Sequence, residues 1–195
     1  GEYGDARIER IGRTRIEREL NAGRVAVVTG FQGVNAGEDL TTLGRGGSDY
    51  TAVALAAALH AEECRIYTDV DGVYTADPRL CPTARRLAQV SYEDMYALSR
   101  AGAQVLHDKC VALAQEKGVE PVVLSCVGGG AGTRVGGSAD GRLTGVTRRL
   151  LPDGRLAAVT LVGRALPSLE AEKAAILALD AAHIPVLGVD TAERI

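Results

Sequence analysis

The sequence has 195 residues, is 46% hydrophobic, and sets 22 basic against 25 acidic residues for a net charge of −3. That length buries one substantial core and part of a second domain. The balanced charge excludes the electrostatic footprint of a nucleic-acid or anionic-membrane binder, so small molecules are the expected ligands. No charged segment leads into an apolar one as in a signal peptide, and no apolar run reaches membrane-spanning length. Gly1 is not an initiator Met, and the chain is expected to begin inside a larger, cytoplasmic protein.

After a charged opening, the spacing of Ile8, Ile11, Ile16 and Leu20 predicts a polar helix from Ile8 that Gly23 ends. Val25 to Thr29 is a continuous apolar run of strand length, as in a sheet buried on both faces. Gly30 to Gly47 reads as loop, Ser48 as the cap of a helix through about Ala61, and Cys64 to Thr68 as a second strand. Strand, helix and strand at this spacing make a βαβ unit and hence a parallel sheet. An acidic loop then runs to Pro78, Ser91 caps a helix from Tyr92 to Arg100 that Gly102 interrupts, and a further helix spans Val105 to Lys117 before a strand at Val122 to Ser125. Gly128 to Gly137 reads as a linker and marks the expected boundary. Beyond it, strand Ala157 to Val162, helix Ser168 to Ala182 and strand Pro185 to Val189 form a second βαβ pattern.

Two segments carry the chemistry. Thr42-Leu43-Gly44-Arg45-Gly46-Gly47-Ser48-Asp49 closes a glycine-rich stretch and opens an Ala-rich helix. Its glycines let backbone approach a ligand, the free N–H groups of the helix start favour a carboxylate or phosphate, and Arg45 and Asp49 add charges of both signs, a set suited to a zwitterionic amino acid. By pattern alone it is equally a capped turn. Thr68 to Arg79 leaves a strand end, the place where open α/β sheets bind ligands, with Asp69, Asp71, Tyr74 and Arg79 available for ribose, base or phosphate. It fails as a calcium loop, since its twelfth position is Leu80 and its glycine falls two places early.

With these segments the chain resembles the aspartokinases of the amino-acid kinase superfamily, from about Gly4 to the C-terminus. G-R-G-G-S-D stands complete, and Thr68 to Arg79 is close to the family's T-D-V-x-G-x-Y-T-x-D-P-R. The resemblance implies that Arg45, Gly46, Gly47, Ser48 and Asp49 contact L-aspartate, with Asp49 also the catalytic-site carboxylate beside the substrate amino group. It implies that Thr68, Asp69, Tyr74 and Arg79 contact ATP, joined by Gln104 and Val105 of Gly102 to His107. Aspartokinases commonly carry G-A-K-V-L-H-P at this last segment, with the lysine near the nucleotide phosphates. Here Gln104 and Asp108 stand instead of the lysine and proline, and an uncharged amide cannot compensate transferring phosphoryl charge.

The family's K-x-G-G phosphate cradle has no counterpart, because the lysines are Lys109, Lys117 and Lys173. Gly128 to Gly132 matches neither a P-loop nor a dinucleotide fingerprint. Cys64, Cys81, Cys110 and Cys126 are scattered without metal spacing and read as small buried thiols of a reducing compartment. No metal site is expected from the chain's own residues. His60, His107 and His183 are isolated from any Ser or Cys partner, and His107 reads as structural.

The fold expected is α/β. Residues 1–135 would be the C-terminal portion of an amino-acid kinase domain, a carbamate-kinase-like three-layer αβα architecture, and 136–195 a linker with a partial ferredoxin-like ACT βαβ unit that senses end-product amino acids. The implied reaction is phosphoryl transfer from ATP, with Mg²⁺, to the side-chain carboxylate of L-aspartate, giving 4-phospho-L-aspartate for lysine, threonine and methionine biosynthesis. Without the phosphate cradle the isolated chain is expected to be inactive, and the complete protein to be a homo-oligomer through its ACT region. The alternative is a non-catalytic subunit that binds an amino acid or nucleotide. A kinase acting on glutamate is disfavoured by the wording of Thr68 to Arg79.

Overall fold

A computed structural model describes residues 6–137, 144–152, 154–163 and 168–190, without the side chains of 168 and 169. Gly1, Gly4 and the stretch 138–143 at the start of the expected second segment lie outside the described residues. The fold is mixed α/β, and its order is α1 (Thr14–Asn21), β1 (Gln32–Val34), β2 (Leu40–Thr42), α2 (Gly47–Ala58), β3 (Cys64–Thr68), β4 (Gln89–Val90), α3 (Tyr92–Arg100), α4 (Asp108–Lys117), β5 (Pro121–Ser125), β6 (Thr133–Val135), β7 (Gly145–Leu150), β8 (Ala157–Val162) and α5 (Ser168–Ala181).

The central sheet runs β3-β5-β6-β4. β3 pairs parallel with β5, from Cys64 opposite Pro121 to Thr68 opposite Ser125. β6 lies antiparallel to β5 and parallel to β4. Along β3 the pleat sends Cys64 and Ile66 inward and leaves Arg65 and Tyr67 exposed. The inward residues share one core with Val53 of α2, Met95 and Leu98 of α3, Cys110 and Val111 of α4, and Val123 and Val135 of the sheet. Each such large side chain removed from water contributes about 1.5 to 3 kcal/mol. Val162 of β8 enters the same core, so the β7–β8 hairpin is part of this packing.

Several elements match the sequence expectation, namely β3, β8, α3 and α5. Ser91 caps α3 as expected, its Oγ accepting the Asp94 N–H at 3.1 Å. Others differ for identifiable reasons. α1 starts only at Thr14, and upstream of it the Ala6 N–H is taken by the Thr42 carbonyl at 3.2 Å. The expected loop from Gly30 to Gly47 holds the β1–β2 hairpin, turned by Asn35, whose Oδ1 accepts from the N–H of Gly37 and Asp39. α4 begins at Asp108 instead of Val105. The glycine-rich 128–137 stretch is not merely a linker: Thr133–Val135 is a strand inside the sheet.

The two largest differences concern pairing. Val25 to Thr29 and Pro185 to Val189 are not strands. Val25, Val27 and Leu187 are 88%, 94% and 74% exposed. An apolar run becomes a strand only where a neighbour takes its backbone bonds, and no described segment pairs with either. The βαβ unit expected around α2 therefore does not form among the described residues, and β3 takes its parallel partner from β5. β8 pairs antiparallel with β7, a strand the apolar pattern does not announce because Arg148 and Arg149 stand in it.

Candidate functional site

The Gly44 to Asp49 turn is built for a close approach. Gly46 occupies the position before α2 in a left-handed conformation, φ 71°, and no side chain caps the helix. Ser48, expected as the cap, lies inside the first turn because glycine adopts this backbone at little cost while a serine does not. A Cβ at Gly46 would overlap the His107 Cβ, and one at Gly47 would come within 2.9 Å of Leu43 Cβ and 3.0 Å of the Phe31 ring. Gly46 is thus fixed by conformation and packing and Gly47 by packing; the Gly47 N–H donates to the Gly44 carbonyl at 3.1 Å, and the N–H groups that follow it in the first turn are the ones a ligand could use. Asp49 sits on that first turn, with Ser48 Oγ 3.5 Å from its Oδ1. Burial pushes its carboxyl above the usual range, with Ser48 and His107 acting in the opposite direction.

Facing this turn is the 102–108 segment. α3 ends at Arg100, and Ala103 N–H returns to the Leu98 carbonyl at 2.9 Å. Leu106 is buried and anchors the segment, which brings His107 against Gly46. His107 Nδ1 lies 2.8 Å from Asp108 Oδ1 yet is buried without a hydrogen bond, so proximity here is not a directed contact. Arg100 Nη1 approaches Asp108 Oδ2 at 3.5 Å.

Between the two turns lies a cavity of about 610 Å³ whose walls include Arg45, Asp49, Arg100, Gln104, His107 and Arg149. The volume is that of a small-molecule site. It unites the expected substrate residues Arg45, Gly46 and Asp49 with Gln104 and Val105. His107, read as structural, is both packing partner and wall. Arg100 and Arg149 are wall residues that sequence reasoning missed. Neither belongs to a motif, and Arg149 reaches the site on β7, which is held against Asp94, Thr75 and Ala101.

Thr68, Asp69, Tyr74 and Arg79 are elsewhere, at the carboxyl end of β3, and none lines this cavity. They are held by one another and their neighbours. Thr68 Oγ1 donates to Asp69 Oδ1 at 3.1 Å, and Tyr74 Oη donates to the Asp71 carboxylate at 2.9 Å. Arg79 forks onto Asp77 through Nε and Nη2 at 3.0 and 2.9 Å, which holds the Asp77 carboxyl below its usual range. The loop is tied to the sheet by Val73 N–H on Thr133 Oγ1 at 2.9 Å. Among the described residues no three His, Cys, Asp or Glu side chains gather as a metal cage, and no described helix is long and apolar enough to cross a membrane. Cys64 and Cys110 are buried as expected, whereas Cys126 is exposed.

The amino acid kinase family model matches residues 2–125. An aspartokinase of Geobacillus stearothermophilus is 46% identical over 161 residues, covering 83% of this chain and 40% of that protein. Among solved structures, E. coli aspartokinase III in complex with aspartate and ADP superposes with a TM-score of 0.61 at 30% identity, over 93% of this chain and 40% of that one. The same enzyme in complex with lysine and aspartate gives a TM-score of 0.60 at 28% identity, over 93% and 40%. This chain therefore spans about two fifths of the length of these relatives.

Proposed function

We infer that this chain, which belongs to the amino acid kinase family, is the part of an aspartate kinase that holds L-aspartate and the adenine nucleotide. The observation that carries this is the cavity between the Arg45-to-Asp49 turn and the Gln104-to-Asp108 turn. It is supported by 46% identity to an aspartokinase and by the likeness to a structure with aspartate and ADP bound.

In the reaction an oxygen of the aspartate side-chain carboxylate attacks the γ-phosphorus of ATP, and the bond from that phosphorus to the β,γ-bridging oxygen breaks, releasing ADP and 4-phospho-L-aspartate. A carboxylate is already an adequate nucleophile, so no general base is required, and rate enhancement comes from alignment and charge neutralisation. Asp49 receives the substrate ammonium; a cation beside this half-buried carboxyl reverses the effect of burial and favours its ionised form. Arg45 takes a carboxylate, and Ser48 with the first-turn N–H groups that follow Gly47 supplements it. Thr68, Asp69, Tyr74 and Arg79 take the nucleotide, which requires the Arg79 fork to leave Asp77. Mg²⁺ would arrive with the nucleotide's phosphates and keep much of its water, consistent with the lack of a three-ligand cage among the described residues.

We further propose that residues 136–195 belong to an ACT-type regulatory unit sensing an end-product amino acid, in a cytoplasmic homo-oligomer. The lysine complex of aspartokinase III supports the effector class. A second reading, a binding subunit without turnover, is favoured by Gln104, which leaves that wall position uncharged.

Coupled measurement of ADP release with aspartate, ATP and Mg²⁺ decides between them. The protein that carries this chain is expected to show aspartate-dependent turnover, and the 195-residue chain alone none. Binding of both ligands without turnover by the complete protein establishes the second reading.

A further inference from the structure

The cavity wall carries more positive charge than its acidic residues neutralise. Arg45, Arg100 and Arg149 face Asp49 and Asp108. Arg100 and Asp108 are matched with each other at 3.5 Å. Asp49 is half-buried, and among the described residues neither Arg45 nor Arg149 has a carboxylate within ion-pair distance. Arg45 belongs to the motif turn already assigned. Arg149 comes from another part of the chain.

Its placement is specified by a series of bonds along β7. Thr144 Oγ1 donates to Asp94 Oδ2 at 2.8 Å, Val146 N–H to the Thr75 carbonyl at 2.8 Å, and Thr147 Oγ1 to the Ala101 carbonyl at 3.1 Å. These fix the register of β7 against α3 and the turn after it. Since side chains two apart on a strand share a face, Arg149 follows Thr147 toward that turn. The Arg149 stem lies over Gly102: its Cβ, Cγ and Cδ are 3.6, 3.9 and 3.9 Å from where a side-chain carbon on that glycine would stand. The guanidinium is thereby brought to the wall on which Gln104 offers only an amide.

We propose that Arg149, carried in by the β7–β8 hairpin, is the anion-binding residue of the 102–104 wall and takes a carboxylate or phosphate oxygen of the bound ligand. A guanidinium fork matches either group in a bidentate contact, and its methylene stem rests over the Gly102 backbone. The hairpin then contributes directly to the site instead of acting only as a neighbour. The identity of the ligand rests on the aspartate kinase reading; the binding of an anion does not.

The test is calorimetric titration of the complete protein with L-aspartate, with ADP and with inorganic phosphate, comparing wild type with Arg149→Gln, Arg149→Lys and the adjacent control Arg148→Gln. Arg149→Gln is expected to weaken at least one of these ligands about tenfold, the scale of one charge-assisted contact. Arg149→Lys should recover part of the loss, and Arg148→Gln should bind as wild type does. Weakened aspartate alone identifies a carboxylate as the anion, and weakened ADP and phosphate identify a phosphate. The proposal is overturned if all three affinities survive Arg149→Gln, if Arg148→Gln produces the same loss, if lysine restores nothing, or if the wild-type protein binds none of the three. Aspartate-dependent turnover, assayed separately on the wild type, bears on the kinase reading alone. Binding that depends on Arg149 without such turnover would sink that reading and leave this one standing.

Discussion

Val73 N–H donates to Thr133 Oγ1 at 2.9 Å, and the same hydroxyl donates to the Leu87 carbonyl at 2.6 Å. Thr133 is fully buried, so one side chain from the glycine-rich stretch satisfies a backbone group of the acidic loop and one of the segment that leads into β4. Thr133→Val keeps the shape and orphans both groups, a cost of about 1 to 3 kcal/mol. Denaturant unfolding should show that loss, and amide exchange at Val73 should accelerate by more than the global loss explains. Protection at Val73 equal to wild type would exclude this role.

Asp49 is expected to cost the ligand-free protein stability. Burial raises its folded-state pKa above that of the unfolded chain, so the native state binds the extra proton as pH falls. The penalty is therefore fully present above the folded pKa and disappears as pH drops toward the ordinary carboxylate value. Asp49→Asn should raise the Tm at neutral pH, with the gain shrinking in acid, while weakening aspartate more than ATP. A Tm gain independent of pH would show that carboxylate desolvation is not its source.

Gly46→Ala should be poorly tolerated, because its φ of 71° strains any L side chain and the added carbon meets His107. A cost of about 1 to 3 kcal/mol is expected. Pairing it with His107→Gly, which removes the Cβ that the added carbon meets first, should recover the part due to the overlap and not the part due to the backbone. A double-mutant cycle with no coupling would place the two residues out of contact.

Thr144→Val removes the contact with Asp94 that ties the hairpin down, and both residues are 4% exposed. Loss of about 1 to 3 kcal/mol should follow, since Asp94 keeps its burial and loses a donor. Limited proteolysis should then cut the β7–β8 hairpin before the sheet. Simultaneous loss of both would mean that the hairpin and the sheet unfold as one unit.

Thiol labelling should order the cysteines by burial. Cys126 is exposed, whereas Cys110 is fully buried and burial pushes its thiol far up. A disulfide reagent at pH 8 should modify Cys126 within seconds to minutes and Cys110 only on unfolding. Rapid labelling of Cys110 in the native protein would contradict the packing around α4.

What the sequence by itself determined is local. β3, the Ser91 cap, α5 and the two motif segments follow from patterns that a few consecutive residues complete, and the family resemblance rests on those same residues. Pairing and convergence belong to the tertiary structure. Val25 to Thr29 has the composition of a strand and no described neighbour, so composition alone could not make it one. Thr133–Val135 sits among glycines and is a strand because β4 and β5 supply its bonds. The cavity is likewise a product of long-range contact: Gly46 meets His107, and Arg149 arrives through hydrogen bonds at 144, 146 and 147 to distant residues. Conformational preference acts over a few residues, whereas the position of a charge in a pocket depends on which surfaces exclude water together.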